Sequence, residues 1–382
     1  MDFSLSVGQV DHRNQCVRFQ SLIAAWFVVV LTVWILAAVV DQHIPPVRNA
    51  GIPRTPTEVL STWDGGWYRD IARQGYSVEG KAIRRFAFFP LLPAIARLLG
   101  GQSHTVLAGI LFGQLCLLGS LFLINRLSEV NDETPLRQQP AFWLLVSPLS
   151  FFFSVFYTES LFLFLTLLTV NVCRTERFWS AGLFGVMTGL TRPTAICLPV
   201  IFLWWAMRSL HERRRCLRLL ICAIAPLAGI ALYVGTVGYI LGDPVGYVQI
   251  QRQGWAGQWS FPFVPMFRDL TNSFYSLTQA QIPVPGKIVR PVLTLSIMFL
   301  LFWRWRNCDA AFLVYAIVSM IFIHSQEPTG SSLRYELVLF PIFLLFGQVM
   351  SRRPRLTWVV SALMLVMQVV LFTRHISWRW VS

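Results

Sequence analysis

Leu219-Leu-Ile-Cys-Ala-Ile-Ala-Pro-Leu-Ala-Gly-Ile-Ala-Leu-Tyr-Val-Gly-Thr-Val-Gly-Tyr-Ile-Leu241 contains no charged residue and follows directly on Arg213-Arg214-Arg215-Cys-Leu-Arg218. At 1.5 Å per residue, a helix of this length exceeds the ~30 Å hydrocarbon core of a bilayer. The bases at one end, which extend back to Arg208, mark that end as cytoplasmic by the positive-inside rule. The rest of the chain has the same character. Hydrophobic residues make up 55% and charged residues 13%, about half the charge of a soluble domain. Mean hydropathy is +0.57. The formal net charge of +14 lies in short loops between apolar runs, so it matches anionic lipid headgroups and not nucleic acid.

Apolar runs occur at 21–40, 104–126, 140–153, 156–173, 178–191, 193–208, 218–241, 289–303, 309–323, 335–350 and 356–373. They predict an all-α polytopic membrane protein of about 11 transmembrane helices in one membrane-embedded domain, 1–382. The run 86–99 contains Pro90 and Pro93, is too short to span, and is expected at the interface. The run 21–40 follows Arg13 and Arg18 and is long for a signal peptide, so a retained signal anchor is expected. The seven cysteines include no CxxC pair, and they suggest neither a disulfide framework nor a metal site.

Counting spans from the 208–218 cluster places the N-terminus and 127–138, 174–177, 304–308 and 351–355 in the cytoplasm. The opposite face receives a first loop within 41–103, the turns at 154–158 and 191–194, a second large loop at 242–288, and 324–334. The C-terminal tail, with Arg374, His375 and Arg379, also falls on the outer face, against the charge rule. The runs 140–173 and 178–208 each break near the middle, at Ser154-Val-Phe-Tyr157-Thr-Glu159 and at Thr191-Arg192-Pro193-Thr194. Broken helices at bilayer depth are tolerated where they line a water-accessible cavity, and a cavity open to the outer face fits both breaks.

The first loop contains Trp63-Asp64-Gly65-Gly66-Trp67-Tyr68. Thr62 predicts an N-cap and Gly75 a stop for a short amphipathic interfacial helix. Two glycines cost about 1 kcal/mol each inside a helix, which calls for a close neighbour of the backbone. Asp64 reads either as a first-turn acid facing the helix dipole or as a general base. Glu159, deep in an apolar run, and Arg192 read either as a structural ion pair or as an acid beside an anion-binding guanidinium. Arg334 opens a later apolar run and is a second phosphate candidate, or a snorkelling side chain. His324 lies in the same outer segment. Trp255, Trp259, Phe261 and Phe263 could stack on sugar faces or form an interfacial belt. The chain has no GxxxxGK[ST] loop, HExxH or DxD pair, which argues against a nucleotide-driven pump.

Trp63-Asp64-Gly-Gly-Trp67-Tyr68 with Ile71-Ala72 and Gly75-Tyr76, then Phe89-Pro90-Leu-Leu-Pro93, Ser147-Pro148, Phe156-Tyr157-Thr-Glu159-Ser160, Gly189-Leu-Thr191-Arg192-Pro193, and Arg334-Tyr335 before Phe340-Pro341 form an ordered set. In this set the chain resembles the PIG-V-like mannosyltransferases of the GT-C class of integral membrane glycosyltransferases. The resemblance implies a GT-C type bundle and a polyprenyl- or dolichyl-phosphate mannose donor used on the extracytoplasmic face. It also implies inversion at the sugar carbon, no sugar nucleotide, and Asp64 as the essential acid. Arg192 and Arg334 then become candidates for the donor phosphate, and Trp63, Trp67, Tyr68, Tyr157, Glu159 and His324 for substrate contacts. No cofactor is expected and no metal ligand is assigned, which leaves both metal-dependent and metal-independent transfer open, and the acceptor is a lipid, glycan or protein hydroxyl. Short outer loops point to a bacterial plasma membrane enzyme, or to the endoplasmic reticulum membrane if the source is eukaryotic. A transporter or flippase of lipid-linked sugars is the chief rival, because broken helices with buried charges suit it too.

Overall fold

The computed structural model describes residues 12–43, 54–128, 130, 134–279 and 285–379. Parts of the expected loops 41–103, 127–138 and 242–288 therefore lie outside the described residues, as does the extreme N-terminus. The first helices in chain order are α1 (His12–His43), α2 (Pro56–Val59), α3 (Asp64–Gln74), α4 (Leu91–Gly100), α5 (Thr105–Leu127) and α6 (Pro140–Val146). They are followed by α7 (Glu159–Arg174), α8 (Phe178–Gly189), α9 (Pro199–Arg208), α10 (Arg213–Leu241), α11 (Gly246–Trp255) and α12 (Val264–Thr278). The last are α13 (Pro285–Trp303), α14 (Ala310–His324), α15 (Ser332–Glu336), α16 (Phe340–Ser351) and α17 (Pro354–Ile376). The sheet content among the described residues is one antiparallel ladder of β1 (Gln258–Trp259) and β2 (Gln326–Glu327), pairing Gln258 with Glu327 and Trp259 with Gln326.

Five helical stretches among the described residues are long and apolar enough to cross a membrane: Gln20–Val40, Thr105–Leu127, Arg213–Leu241, Gly286–Trp303 and Arg355–Ile376. A sixth is added if Thr329–Glu336 and Phe340–Ser351, bent by 61°, count as one broken span. The chain is thus a helical membrane protein, with fewer full-length spans than the about 11 expected. The difference lies in the broken runs and in α14, which is continuous but only 15 residues long. Run 140–153 becomes the seven-residue α6 and a 3₁₀ turn at Ser150–Phe153, because Pro148 has no N–H to continue the helix. Run 156–173 becomes α7, whose 16 residues extend only ~24 Å. Runs 178–191 and 193–208 give α8 with 12 residues and α9 with 10.

Helix α10 packs on α8 and α9, and α5 packs on α4 and α7. The α8–α10 crossing is close because both helices present glycine there. A Cβ on Gly189 would stand 2.1 Å from the Pro226 carbonyl oxygen, and one on Gly229 would stand 2.1 Å from that of Val186. Small residues allow such backbone approach between membrane helices, where dispersion and not hydrophobicity holds the pair. Gly189 ends α8, so this crossing fixes where Leu190-Thr191-Arg192 begins. Arg192 itself is extended, and Pro193 starts a 3₁₀ turn to Cys197.

The broken runs, the first loop and the C-terminal tail meet at one end of the bundle. Trp63 donates its indole N–H to the His375 carbonyl at 3.0 Å, and its ring lies 5.0 Å from that of Trp378. The tail and the first loop therefore meet at the same end of the bundle.

Candidate active site

Helix α3 does not start as local rules predict. Thr62 is not the N-cap: its hydroxyl donates to the Val59 carbonyl at 3.1 Å. The cap position belongs to Trp63, with φ 54° and ψ −123° and no side-chain cap. Such a backbone costs a tryptophan roughly 1–3 kcal/mol and persists only when its surroundings over-determine it. Here they do, through the His375 and Trp378 contacts and through Tyr157. The buried Tyr157 hydroxyl accepts from the Asp64 N–H and donates to the Thr62 carbonyl, both at 3.2 Å. It thus spans the strained residue from both sides. Burial, reinforced by the Asp64 charge, pushes the Tyr157 phenol well above its usual range, so it remains a donor at any physiological pH.

Gly65 has the close neighbour its cost demanded. A Cβ there would stand 3.2 Å from Tyr157 Cε1 and 3.3 Å from the Phe156 carbonyl. The neighbour is the break between α6 and α7. Gly66 meets only ordinary contacts, and nothing in the structure explains it. Gly75 ends the helix with φ 77°, as expected.

Four charged side chains from four separate segments form one chain of ion pairs. Arg334 Nη1 lies 2.7 Å from Asp64 Oδ2, and Arg334 Nε lies 3.3 Å from Glu159 Oε1. The same Glu159 oxygen lies 2.6 Å from Arg192 Nη1. Two carboxylates against two guanidiniums leave the group formally neutral. Aromatic faces hold the cations, as the ring quadrupole favours. Arg192 sits 4.7 Å from the Tyr335 centroid, and Arg334 sits 5.1 Å from Tyr157 and 5.3 Å from Tyr335. Exposure separates the four. The side chains of Arg334, Arg192 and Glu159 are 9%, 5% and 2% exposed, whereas Asp64 is 28% exposed. Asp64 is the charge within this group that an incoming molecule can reach.

A cavity of about 520 Å³ opens beside them. All four line it, together with Trp63, Trp67, Tyr68 and Tyr157. Tyr68 is buried with its hydroxyl 3.4 Å from Thr158 Oγ1, and burial raises its phenol above the usual range. Trp67 stacks on Phe88 at 5.9 Å and meets Trp255 edge-on at 5.6 Å. His324 is elsewhere. It is 2% exposed, its Nε2 lies 2.7 Å from Glu336 Oε1, and its ring stacks on Phe263. It does not line the cavity: it is the last residue of α14, and its ring is held between Phe263 and Glu336. Of the four aromatics in the second large loop, Trp255 and Trp259 line the cavity, Phe263 covers His324, and Phe261 is 80% exposed.

Sequence reasoning missed Tyr335, which contacts both guanidiniums, and Trp378, which closes one edge. Adjacency to Arg334 was the available signal for Tyr335; Trp378 had none. Among the described residues, no three His, Cys, Asp or Glu side chains gather as a metal site requires.

Residues 52–282 match the Mannosyltransferase (PIG-V) family, a stretch that contains Asp64, Glu159 and Arg192. The chain belongs to this family. It is similar to GPI alpha-1,6-mannosyltransferase 2 of Cricetulus griseus, with 34% identity over 145 residues covering 34% of this chain and 28% of the relative. The Homo sapiens protein of the same description matches at 31% over 145 residues, with the same coverage. The matched stretch thus spans well under half the length of these relatives. Among solved structures, the apo oligosaccharyltransferase of Archaeoglobus fulgidus aligns with TM-score 0.47 and 10% identity, covering 94% of this chain and 56% of that one.

Proposed function

We propose that this PIG-V family member transfers a sugar, mannose by its family, from a polyprenyl-phosphate donor to an acceptor hydroxyl on the extracytoplasmic face, within a GT-C type bundle. One observation carries the proposal. The most accessible member of the buried ion-pair chain is a carboxylate, Asp64, held at the wall of an aromatic-lined cavity directly against a guanidinium. As the acceptor oxygen bonds to the sugar C1, its proton passes to Asp64, and the bond from C1 to the lipid phosphate oxygen breaks with its electrons leaving on the phosphate. Arg334, 2.7 Å from its carboxylate, orients Asp64 beforehand. Arg334 and Arg192 then face the charge that develops on the leaving phosphate. Glu159 holds the two guanidiniums in place. Trp63, Trp67, Tyr68 and Tyr157 shape the pocket for sugar and acceptor.

The test is transfer from radiolabelled polyprenyl-phosphate mannose by the purified full chain, with Asp64→Asn as the variant. We expect transfer by the wild type and a loss of at least about 100-fold per folded molecule in the variant, the scale of general-base catalysis, together with a lowered Tm because the buried Arg334 loses its nearer counter-ion. Transfer by Asp64→Asn at the wild-type rate would remove Asp64 from the chemistry. Movement of the donor across liposomes with no product would replace the transferase with a flippase.

A further inference from the structure

Charge accounting around the cavity points to a further binding residue. The charged side chains that line it are Asp64, Glu159, Arg192, Arg252, Glu327 and Arg334. Four of these neutralise one another, and Glu327 pairs with Arg268 at 3.2 Å. Arg252 is exposed on α11 and makes no ion pair or hydrogen bond among the described residues. Arg84 stands nearby in the same condition, on the 3₁₀ turn Gly80–Ala87. Its Cγ and Cδ lie 3.8 and 4.0 Å from where a Cβ on Gly254 would stand, so its stem crosses α11 two residues beyond Arg252.

Arg252 is not on a loose loop. Gln251 donates to the Ala87 carbonyl and to the Tyr247 hydroxyl, each at 3.1 Å. Trp255 packs edge-on against Phe88 at 5.2 Å and against Trp67. Trp67 is on α3, the helix that begins with Asp64. The position of α11 is thereby set against the helix that carries the accessible carboxylate.

We propose that Arg252 binds the phosphate of a lipid substrate at the cavity wall, with Arg84 adding to the field behind it. This rests on the transferase reading above. A phosphate brings negative charge to a site whose inner charges already cancel. Binding is favourable when a cation still lacking a counter-ion receives it, and guanidinium geometry suits phosphate oxygens. Arg192 and Arg334 are already paired with Glu159 and Asp64, so a phosphate in the resting site would have to compete with those carboxylates in a counter-ion exchange. Arg252 needs no such exchange and therefore acts in ground-state binding.

The experiment uses the full chain in nanodiscs and follows tryptophan fluorescence while polyprenyl phosphate or the uncharged polyprenol is added. Wild type should bind the phosphate at least about 10-fold more tightly than the alcohol, the preference a charge-assisted hydrogen bond supplies. Arg252→Gln should lose that preference while Arg252→Lys retains most of it, both with wild-type thermal unfolding. Discrimination by Arg252→Gln equal to wild type overturns the assignment, as does a wild type that does not discriminate. Steady-state kinetics identify the source of the phosphate. A raised KM for the donor with little change in kcat marks the donor phosphate, and a raised KM only for an anionic lipid acceptor marks its headgroup. If phosphate discrimination is present but no sugar is transferred, the transferase reading fails and the anion site stands.

Discussion

Replacing Glu159 by Met removes the carboxylate that both Arg192 and Arg334 contact. Its Oε1 lies 2.6 Å from Arg192 Nη1 and 3.3 Å from Arg334 Nε, in surroundings that leave the glutamate 2% exposed. Truncating one partner of a buried ion pair leaves an uncompensated charge and costs about 3–5 kcal/mol. Replacing both partners by apolar side chains of similar volume is often neutral. Glu159→Met alone and Arg192→Met alone should therefore each lose about 3–5 kcal/mol. Glu159→Met combined with Arg192→Met should recover most of it, because Asp64 and Arg334 remain as a balanced pair at 2.7 Å. Scaling ~2–4 °C per kcal/mol for 150–250 residues to this larger chain gives a fall of roughly 4–8 °C in Tm for either single variant. Thermal unfolding in one detergent at one protein concentration measures it, with radiolabelled transfer run in parallel. The double variant should be nearly as stable as wild type yet inactive, because the guanidinium facing the leaving phosphate is gone. Destabilisations that simply add in the double variant would refute the view of these residues as one charge-balanced unit. So would single variants indistinguishable from wild type.

Gly189→Ala places a Cβ 2.1 Å from the Pro226 carbonyl and should cost at least about 1–3 kcal/mol as overpacking, read as a lower Tm with transfer lowered in step. Tyr157→Phe removes the hydroxyl that joins Thr62 to Asp64; we expect about 1–3 kcal/mol of lost stability, with kcat falling more than the KM for donor changes. His324→Leu removes a buried partner of Glu336 and should lower Tm while leaving the donor KM of the surviving folded protein unchanged, whereas a raised KM would return His324 to the substrate site. The phenols of Tyr157 and Tyr68 are raised by burial, so the stability they add is full below the unfolded value near pH 10 and is lost as pH climbs beyond it. Tyr157→Phe should flatten that alkaline decline in a Tm-versus-pH series.

The long spans were legible because apolar length alone decides them. Run 104–126 became Thr105–Leu127, and run 356–373 lies inside Pro354–Ile376. The broken runs were legible as breaks but not as helix lengths, since prolines and polar residues mark where a helix stops and not how far each arm continues. Thr62 illustrates a local rule overridden by tertiary structure. Threonine is a good cap by propensity, but the Tyr157 hydroxyl, distant in sequence, takes the Asp64 N–H. Glu159 and Arg192 stood out as charges within or beside apolar runs and Arg334 as the opening of one, whereas Asp64 was singled out through the ordered set of motifs. Their pairing was not visible, because nothing in the spacing of residues 64, 159, 192 and 334 encodes which carboxylate meets which guanidinium. His324 looked like its loop neighbours, yet it belongs to a helix end whose partner, Glu336, comes from the next bent segment.

The neutral group of four also bears on how the sequence can drift. Three of its members lie within the stretch that matches the family, and Arg334 lies beyond residue 282. A single inherited change at any of them strands a buried charge, so neutral drift has to pass through paired exchanges. A lineage that loses the arginine at 334 should show a compensating change at 64 or 159. The far end of the chain, however freely the rest of it diverges, is thereby tied to the evolutionary fate of the first loop.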